Sequence, residues 1–465
     1  MSSKAVVLDA TDEGISQAAK NLLNGGLVAL PTETVYGLGA NAMIEDSVRN
    51  IFKVKGRPLT DPLIVHVPSL KDALELVELE GFEKCLFETL GSAFWPGGLT
   101  LIAKQRSFLP LCLSAGTGYV GIRVPNHSLA LRLLQEAKCP VAAPSANRFG
   151  HVSPTSHLHV LHDLGNHNIS ILNGDSVETT CKHGIESTVC KIDIENKELV
   201  IFRRGAVSEI EIQKVLNNIS FKSSPNKREE EESEGIVQNA LDWNIRVITK
   251  HVPMPENYKH DGSIVKNDNE AQEELKQAQE KETKQSQESQ EGQGQVAPGQ
   301  LITHYAPDVP TFILRCLQKT QEQQDQDHNQ QDKHDRFIDQ DEDEQSMLDS
   351  VVLDFHGNLS WLQDKCLAYQ DLSISGDIPS AGRQLFASLR WAECVIGAKR
   401  VLIADIESIA KMYSEDSITK EASISQQTNS CIGIEHSASI SDRTFRAASG
   451  RVMTVLPGKF PPSQL

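Results

Sequence analysis

Two cations stand close together in the segment Lys53-Val54-Lys55-Gly56-Arg57-Pro58. In an extended chain alternate side chains share a face, and a proline favours an extended residue before it, so Lys55 and Arg57 are expected to point the same way. Arg offers a planar fork suited to phosphate oxygens and Lys a compact point charge. Together they could offset charge that builds on a phosphate during a displacement. A pair of solvated surface cations is the plainer alternative. Ser145 and Asn147 offer a hydroxyl and an amide at the end of an apolar stretch, Val141–Ala143, where ligands of open α/β sheets sit. The same residue types also make ordinary turns. Arg123 is a charged residue inside the apolar run Gly121–Val124, where a structural salt bridge is the plain reading. His66 lies among hydrophobic residues, the setting of a core histidine.

Other patterns point elsewhere and fail. Gly116-Thr117-Gly118-Tyr119-Val120-Gly121 matches GxGxxG, but Ile122-Arg123-Val124-Pro125 follows it, a short strand where the dinucleotide fingerprint needs a helix. His157, His159 and His162 share a polar helix face without a carboxylate or thiol at ligand spacing, so no metal site is expected there. The chain contains no Walker A sequence. Any ATP phosphates must therefore be held by another device. No catalytic triad or activated cysteine is evident either.

The elements that must position these groups alternate in type. Glu13–Asn24 has helical spacing and ends at Gly25-Gly26. The apolar run Leu27–Leu30 reads as a buried strand that opens into a polar, glycine-bearing loop at Pro31–Gly39. A helix around Ser47–Val54 and a strand at Leu63–Val67 follow. Leu70–Leu90 reads as helical with a break at Gly81. Further strands are expected at Leu99–Ala103, Gly121–Val124, Val141–Ala143, Ile169–Leu172, Thr188–Ile192 and Leu199–Phe202, with helices at Ser128–Ala137, Ser156–Leu164 and Glu209–Leu216. Such a mixture argues for an open α/β sheet. This first domain is set at residues 10–217.

Residues 218–307 change character. Four glutamates at 229–232 open an acidic tract, and beyond Ala271 the chain is nearly all Gln, Glu, Lys and Ser, a composition expected to be largely disordered. Within it, the apolar piece Ala240–Val252 could dock locally. Residues 308–460 return to α/β patterning, with strands at Thr311–Leu314, Val351–Phe355 and Arg400–Ala404 and helices at Ala381–Val395 and Ser437–Ala448. A polar insertion at 318–346 interrupts them.

The chain has 465 residues and a net charge of −18, of which residues 1–220 carry only −3, with 20 Lys/Arg against 23 Asp/Glu. No basic stripe of the kind that grips a phosphate backbone is present in either half. Any RNA would be reached through a partner. Nine cysteines are scattered without a CxxC pair, as expected of reduced thiols in a cytoplasmic protein. No apolar run approaches the roughly 20 residues needed to span a bilayer.

Four motifs in this order, Pro31-Thr32-Glu33-Thr34-Val35-Tyr36-Gly37-Leu38-Gly39, Lys55 to Pro58, Ala143-Pro144-Ser145-Ala146-Asn147 and Ser153-Pro154-Thr155, resemble those of the YrdC-like threonylcarbamoyl-AMP synthases. The resemblance covers about the first 217 residues, and the remainder is similar to the longer, two-domain form. It implies a YrdC-like open twisted mixed sheet with helices, plus a smaller C-terminal α/β, Rossmann-like domain. Thr34, His66, Arg123, the main chain at Ala143 and Ser187 match positions that contact L-threonine. Lys55, Arg57, Ser145, Asn147, Ser153 and Arg203 match ATP contacts, Lys55 and Arg57 as the catalytic cations. Arg204 stands where proline is common in the family. The segment Pro298–Pro307 resembles one that lies over the active site, and its Tyr305 matches a nucleotide contact. Gln300, Leu301, Ile302 and Thr303 depart from that pattern. Asp442-Arg443-Thr444-Phe445-Arg446-Ala447-Ala448 is similar to the family's terminal helix.

The implied reaction joins L-threonine to bicarbonate or CO2 and then to the α-phosphate of ATP, with Mg²⁺ carried on the nucleotide. It gives threonylcarbamoyl-AMP and pyrophosphate, the donor for threonylcarbamoyladenosine next to the tRNA anticodon, with a partner transferase completing the modification. Competing readings are a carbamoyl-adenylate-forming enzyme, an RNA-binding module of the same fold, and an inactive scaffold. The missing CxxC pairs argue against the first, the near-neutral N-terminal part against the second, and the intact Lys55, Arg57, Ser145 and Asn147 set against the third.

Overall fold

The computed structural model describes residues 4–177, 180–218, 243–248, 295–298, 305–316, 335–337, 347–410 and 437–455. Most of the 218–307 tract, nearly all of the 318–346 insertion and the departing residues Gln300–Thr303 lie outside these, so the expectation of disorder there is not addressed.

Eleven strands form the first sheet. In chain order they are β1 (Val6–Leu8), β2 (Leu27–Leu30), β3 (Gly37–Asn41), β4 (Ile64–His66), β5 (Leu99–Lys104), β6 (Tyr119–Arg123), β7 (Val141–Ala142), β8 (Ile169–Leu172), β9 (Thr188–Asp193), β10 (Glu198–Arg203) and β11 (Asn244–Val247). Their spatial order is β1-β8-β2-β3-β7-β4-β6-β5-β9-β10-β11, with parallel and antiparallel pairings mixed. Helices cover both faces. Alternate residues of β2 enter different cores: Leu27 and Ala29 pack with Val48, Ile51 and Phe52 of α2 (Glu45–Lys55), and Val28 and Leu30 with Ile15 and Leu22 of α1 (Asp12–Leu23). This two-sided burial explains why the strand is apolar throughout. Helix α1 starts where Thr11 accepts the Gly14 N–H, with Asp12 and Glu13 in its first turn, a favourable placement at the positive end of the helix dipole.

Helices α3 (Leu70–Leu76) and α4 (Gly81–Phe94) flank the break expected at Gly81, and α5 (Ser128–Ala137), α6 (His157–Leu164) and α7 (Glu209–Asn217) complete the unit. A capping box of Ser208 and Glu211 starts α7. The local apolar piece expected near Trp243 docks as β11, parallel to β10, with Trp243 against Phe82.

The second sheet is parallel throughout, in the order β13-β17-β12-β16-β14-β15. Its strands are β12 (Thr311–Cys316), β13 (Asp335–Phe337), β14 (Ser350–Asp354), β15 (Ala368–Asp371), β16 (Arg400–Ala404) and β17 (Val452–Val455). Helix α8 (Ile378–Cys394) covers it, and α9 follows at 437–447. The α/β expectation therefore holds for both units. The core of the second unit also takes in Val35, Val152 and Tyr305, which places it directly against the loops at the end of the first sheet. Among the described residues no helix is long and apolar enough to cross a membrane, and Cys85, Cys112, Cys139, Cys181, Cys190, Cys366 and Cys394 form no disulfide.

Candidate active site

A cleft opens where β2, β4, β6 and β7 end. Its first wall is the turn after β2. Thr32 Oγ1 donates to the Val35 carbonyl (2.6 Å) and accepts the N–H groups of Thr34 and Val35 (3.2 Å each), so the hydroxyl closes the turn and fixes Thr34 at the cleft. Two residues past Val35, Gly37 comes so near the chain leaving β7 that a Cβ would stand 3.2 Å from the Ala143 Cβ.

The extended geometry expected of Lys55 and Arg57 is corrected here. Helix α2 runs through Lys55 and ends at Gly56, which takes a left-handed φ of 65° while the Arg57 N–H donates to the Phe52 carbonyl. The turn sends the two cations to different places. Arg57 lines the cleft, its Nη2 paired with Asp61 Oδ1 (2.9 Å) and donating to the Pro62 carbonyl (2.8 Å), its Nε donating to the Asp61 carbonyl (3.1 Å). Lys55 is buried behind the wall, its Nζ donating to the carbonyls of Ser145 and Asn147. Burial, aided by the Arg57 charge, holds its pKa well below the ordinary lysine value. Ser145 reaches the cleft, whereas the Asn147 amide donates to the carbonyls of Arg148 and His151.

Arg123 and His66 are register partners on adjacent strands β6 and β4. Arg123 Nη2 pairs with Glu33 Oε1 at 2.8 Å and its Nε donates to the Gly97 carbonyl. Burial would raise the Glu33 carboxyl, but Arg123 outweighs it and keeps the pKa below the usual value. His66 is pushed down to about 3 by burial and by the Arg123 charge, so the ring is neutral, and its Nδ1 has no hydrogen-bond partner within the protein. A buried ring nitrogen without a partner on a cleft wall is suited to a ligand.

The opposite wall comes from β9 and β10. Arg203 Nε and Nη2 donate to the carbonyl and hydroxyl of Ser187 (3.0 Å each), and the Ser187 hydroxyl also meets that of Thr100 (2.8 Å). Gly205 makes this approach possible, because a Cβ there would lie 2.4 Å from Ser187 main-chain carbon. Beside them Glu186 accepts from Ser153 Oγ (2.7 Å) through one oxygen and meets Arg443 Nε (3.2 Å) through the other. Arg443 belongs to α9 and is fully buried. Tyr305 is buried one layer back, 5.2 Å from the Phe386 ring and 6.0 Å from each of the guanidiniums of Arg443 and Arg446.

Of the residues singled out from sequence, Thr34, Arg57, His66, Arg123, Ala143, Ser145, Ser187 and Arg203 line one cleft. Lys55, Asn147, Ser153 and Tyr305 stand behind its walls. Glu33, Glu186 and Arg443 were not anticipated, although Glu33 and Glu186 each precede an expected contact in sequence. The helix-face histidines were expected to lack carboxylate partners, but His157 meets Asp175 and His162 meets the adjacent Asp163, while His159 meets Thr155.

Residues 20–205 match the family described as "Telomere recombination", and residues 270–449 match "Threonylcarbamoyl-AMP synthase, C-terminal domain". A threonylcarbamoyl-AMP synthase of Bos taurus is 31% identical over 201 residues, 42% of this chain and 70% of its own length. The chain belongs to the threonylcarbamoyl-AMP synthase family. A Pyrococcus abyssi member is 42% identical over 202 residues, 43% of this chain and 57% of the relative, so the match spans little more than half of that protein. The crystal structure of P. abyssi Sua5 complexed with L-threonine superposes with a TM-score of 0.62 over 97% of this chain and 100% of that one, at 23% identity, a likeness of fold across both units.

Proposed function

We propose that the protein is an L-threonylcarbamoyladenylate synthase, a nucleotidyltransferase acting in the cytoplasm on L-threonine, bicarbonate or CO2, and ATP. The observation that carries this reading is one cleft holding a neutral His66 beside Arg123 together with the buried guanidiniums of Arg57 and Arg203. Such a cleft can hold two anions at once, which a condensation of an amino-acid carbamate with a nucleotide requires. The L-threonine bound by the P. abyssi relative supports the amino-acid half.

In this reading Thr34, His66, Arg123, the main chain at Ala143 and Ser187 hold L-threonine, and Arg57, Ser145 and Arg203 hold the nucleotide. Lys55 and Asn147 act through the 145–147 loop, Ser153 through Glu186, and Tyr305 from the second unit. The amine adds to bicarbonate with loss of water, giving N-carboxy-threonine. A carboxylate oxygen of that carbamate attacks the α-phosphorus, the bond to the β-phosphate oxygen breaks, and pyrophosphate leaves with the electron pair. Arg57 and Arg203 offset the charge on the phosphates during this exchange. Glu186 on the cleft wall is paired with Arg443, and Glu33 behind Arg123 is paired with that arginine; Mg²⁺ is taken to enter with ATP as the MgATP substrate. The product supplies the donor for threonylcarbamoyladenosine in tRNA through a partner transferase.

The test is pyrophosphate release by the purified protein with ATP and Mg²⁺, with L-threonine and bicarbonate each supplied or withheld. Release that needs both is the expected result. Release indifferent to threonine, or none, overturns the assignment.

A further inference from the structure

A cluster of buried charge lies at the contact between the two units. His151, in the loop beyond Asn147, is buried, and both ring nitrogens face carboxylates: Nδ1 lies 2.9 Å from Asp163 Oδ2 and Nε2 3.0 Å from Glu393 Oε2. Asp163, on α6, is itself fixed by Arg390 Nη1 (3.1 Å) and Nη2 (2.9 Å) and by the Arg148 N–H (3.3 Å). Asp308, in the segment entering β12, completes the group. Its N–H donates to Glu393 Oε2 (3.2 Å) and its Oδ2 pairs with Arg148 Nη2 (2.8 Å). One donor atom each from His151, Asp308 and Glu393 lies within 4.8 Å of the others.

We propose that His151 Nε2, Glu393 and Asp308 form a divalent metal site of the zinc class that clamps α8 and the β12 approach onto the loop beyond Asn147. The donor set is one imidazole and two carboxylates, which suits Zn²⁺ better than Mg²⁺, a cation that prefers an octahedron of oxygens. The ring already has the outer-shell support typical of metal-bound histidines: its second nitrogen is held by a carboxylate, and that carboxylate is anchored by an arginine. Bonds of about 2.0–2.1 Å at a tetrahedral ion put neighbouring donors about 3.3 Å apart, close to the His151–Glu393 spacing. Glu393 and Asp308 bring two negative charges to the site, the second shared with Arg148. His151 and Glu393 have side chains only 3% and 7% exposed, whereas Asp308 is 58% exposed, which supplies an entry path and room for water in the fourth position. Metal binding displaces the hydrogen between Nε2 and Glu393 and leaves the Asp163 contact in place. The competing arrangement is a metal-free imidazolium bridging Asp163 and Glu393.

The two are separated by metal binding to the full-length, chelator-stripped protein. One equivalent of Zn²⁺ or Co²⁺ is expected to bind and raise the melting temperature, with millimolar Mg²⁺ giving no such rise. Bound Co²⁺ should show d–d absorption without the thiolate charge-transfer band that a cysteine site would give. Asp308→Asn, at the surface and compatible with folding, and Glu393→Gln should each weaken binding at least tenfold. Absence of a bound equivalent, a thiolate band, or affinity unchanged in both variants overturns the site. The readout does not use the proposed reaction, so its outcome is independent of that assignment.

Discussion

At Arg57 the charge is held in place by one carboxylate and two carbonyls, a rigid frame that leaves the guanidinium facing the cleft. Arg57→Lys keeps a cation opposite the buried Asp61 and removes the fork. We expect kcat for pyrophosphate release to fall about 100-fold or more, the scale for losing one preorganised donor, with little change in melting temperature. Lys55→Met should behave differently. It strips the donor from two carbonyls of the 145–147 loop, so the melting temperature should drop and KM for ATP should rise through displacement of Ser145. Identical kinetic signatures for the two variants would contradict the separation of roles. Lys55 and Arg57 were singled out in the sequence through the motif they share with the family, since by type alone a solvated pair of cations was the plainer reading. Their geometry was not legible, since reading Lys55 as extended overlooked Gly56 as a helix stop, the turn that sends the side chains apart. Glu33 and Glu186 were passed over for a related reason: carboxylates are unexpected in an anion site until their arginine partners are seen.

Elements with a strong period were legible and elements without one were not. Helix α8 was expected at Ala381–Val395 and runs Ile378–Cys394, started by Asp377 accepting the Ser380 N–H. Strand β3 was read as loop because Gly37 and Gly39 are poor strand formers; its place between β2 and β7 makes it a strand, and small residues are what the close neighbours allow. No local pattern could show that α9 inserts Arg443 against Glu186, 257 residues away. That contact gives the second unit a direct hold on the cleft wall and, through Glu186, on Ser153. Arg443→Met should raise KM for ATP about tenfold while leaving KM for threonine nearly unchanged, and Arg443→Lys should recover part of the loss. An equal rise in both KM values would mean the residue only supports the fold.

Across the whole molecule, two cores meet at a seam of buried charge, and that seam differs from the rest of the first body in how it meets acid. At the seam, burial would raise the Asp163 carboxyl, but its bonds to His151 and Arg390 hold it far below the carboxylate range, so that pairing survives mild acid. The first body instead contains histidines kept neutral mainly by burial: His66 at about 3, His127 at about 4 and His159 at about 4. Each binds a proton in the unfolded chain near pH 6.5 and not in the folded one until pH 3–4. Their contribution is therefore complete above pH 6.5 and is lost as the pH falls from there toward 4. At pH 5.5 unfolding of this body should take up about three protons from these side chains, and the urea midpoint should fall steadily between pH 6.5 and 4.5. His159→Gln should reduce the uptake by about one proton and flatten that fall. A midpoint that holds constant over this interval would show that the three rings are protonated in the folded protein, and the neutral His66 on which the proposed threonine site rests would be lost with it.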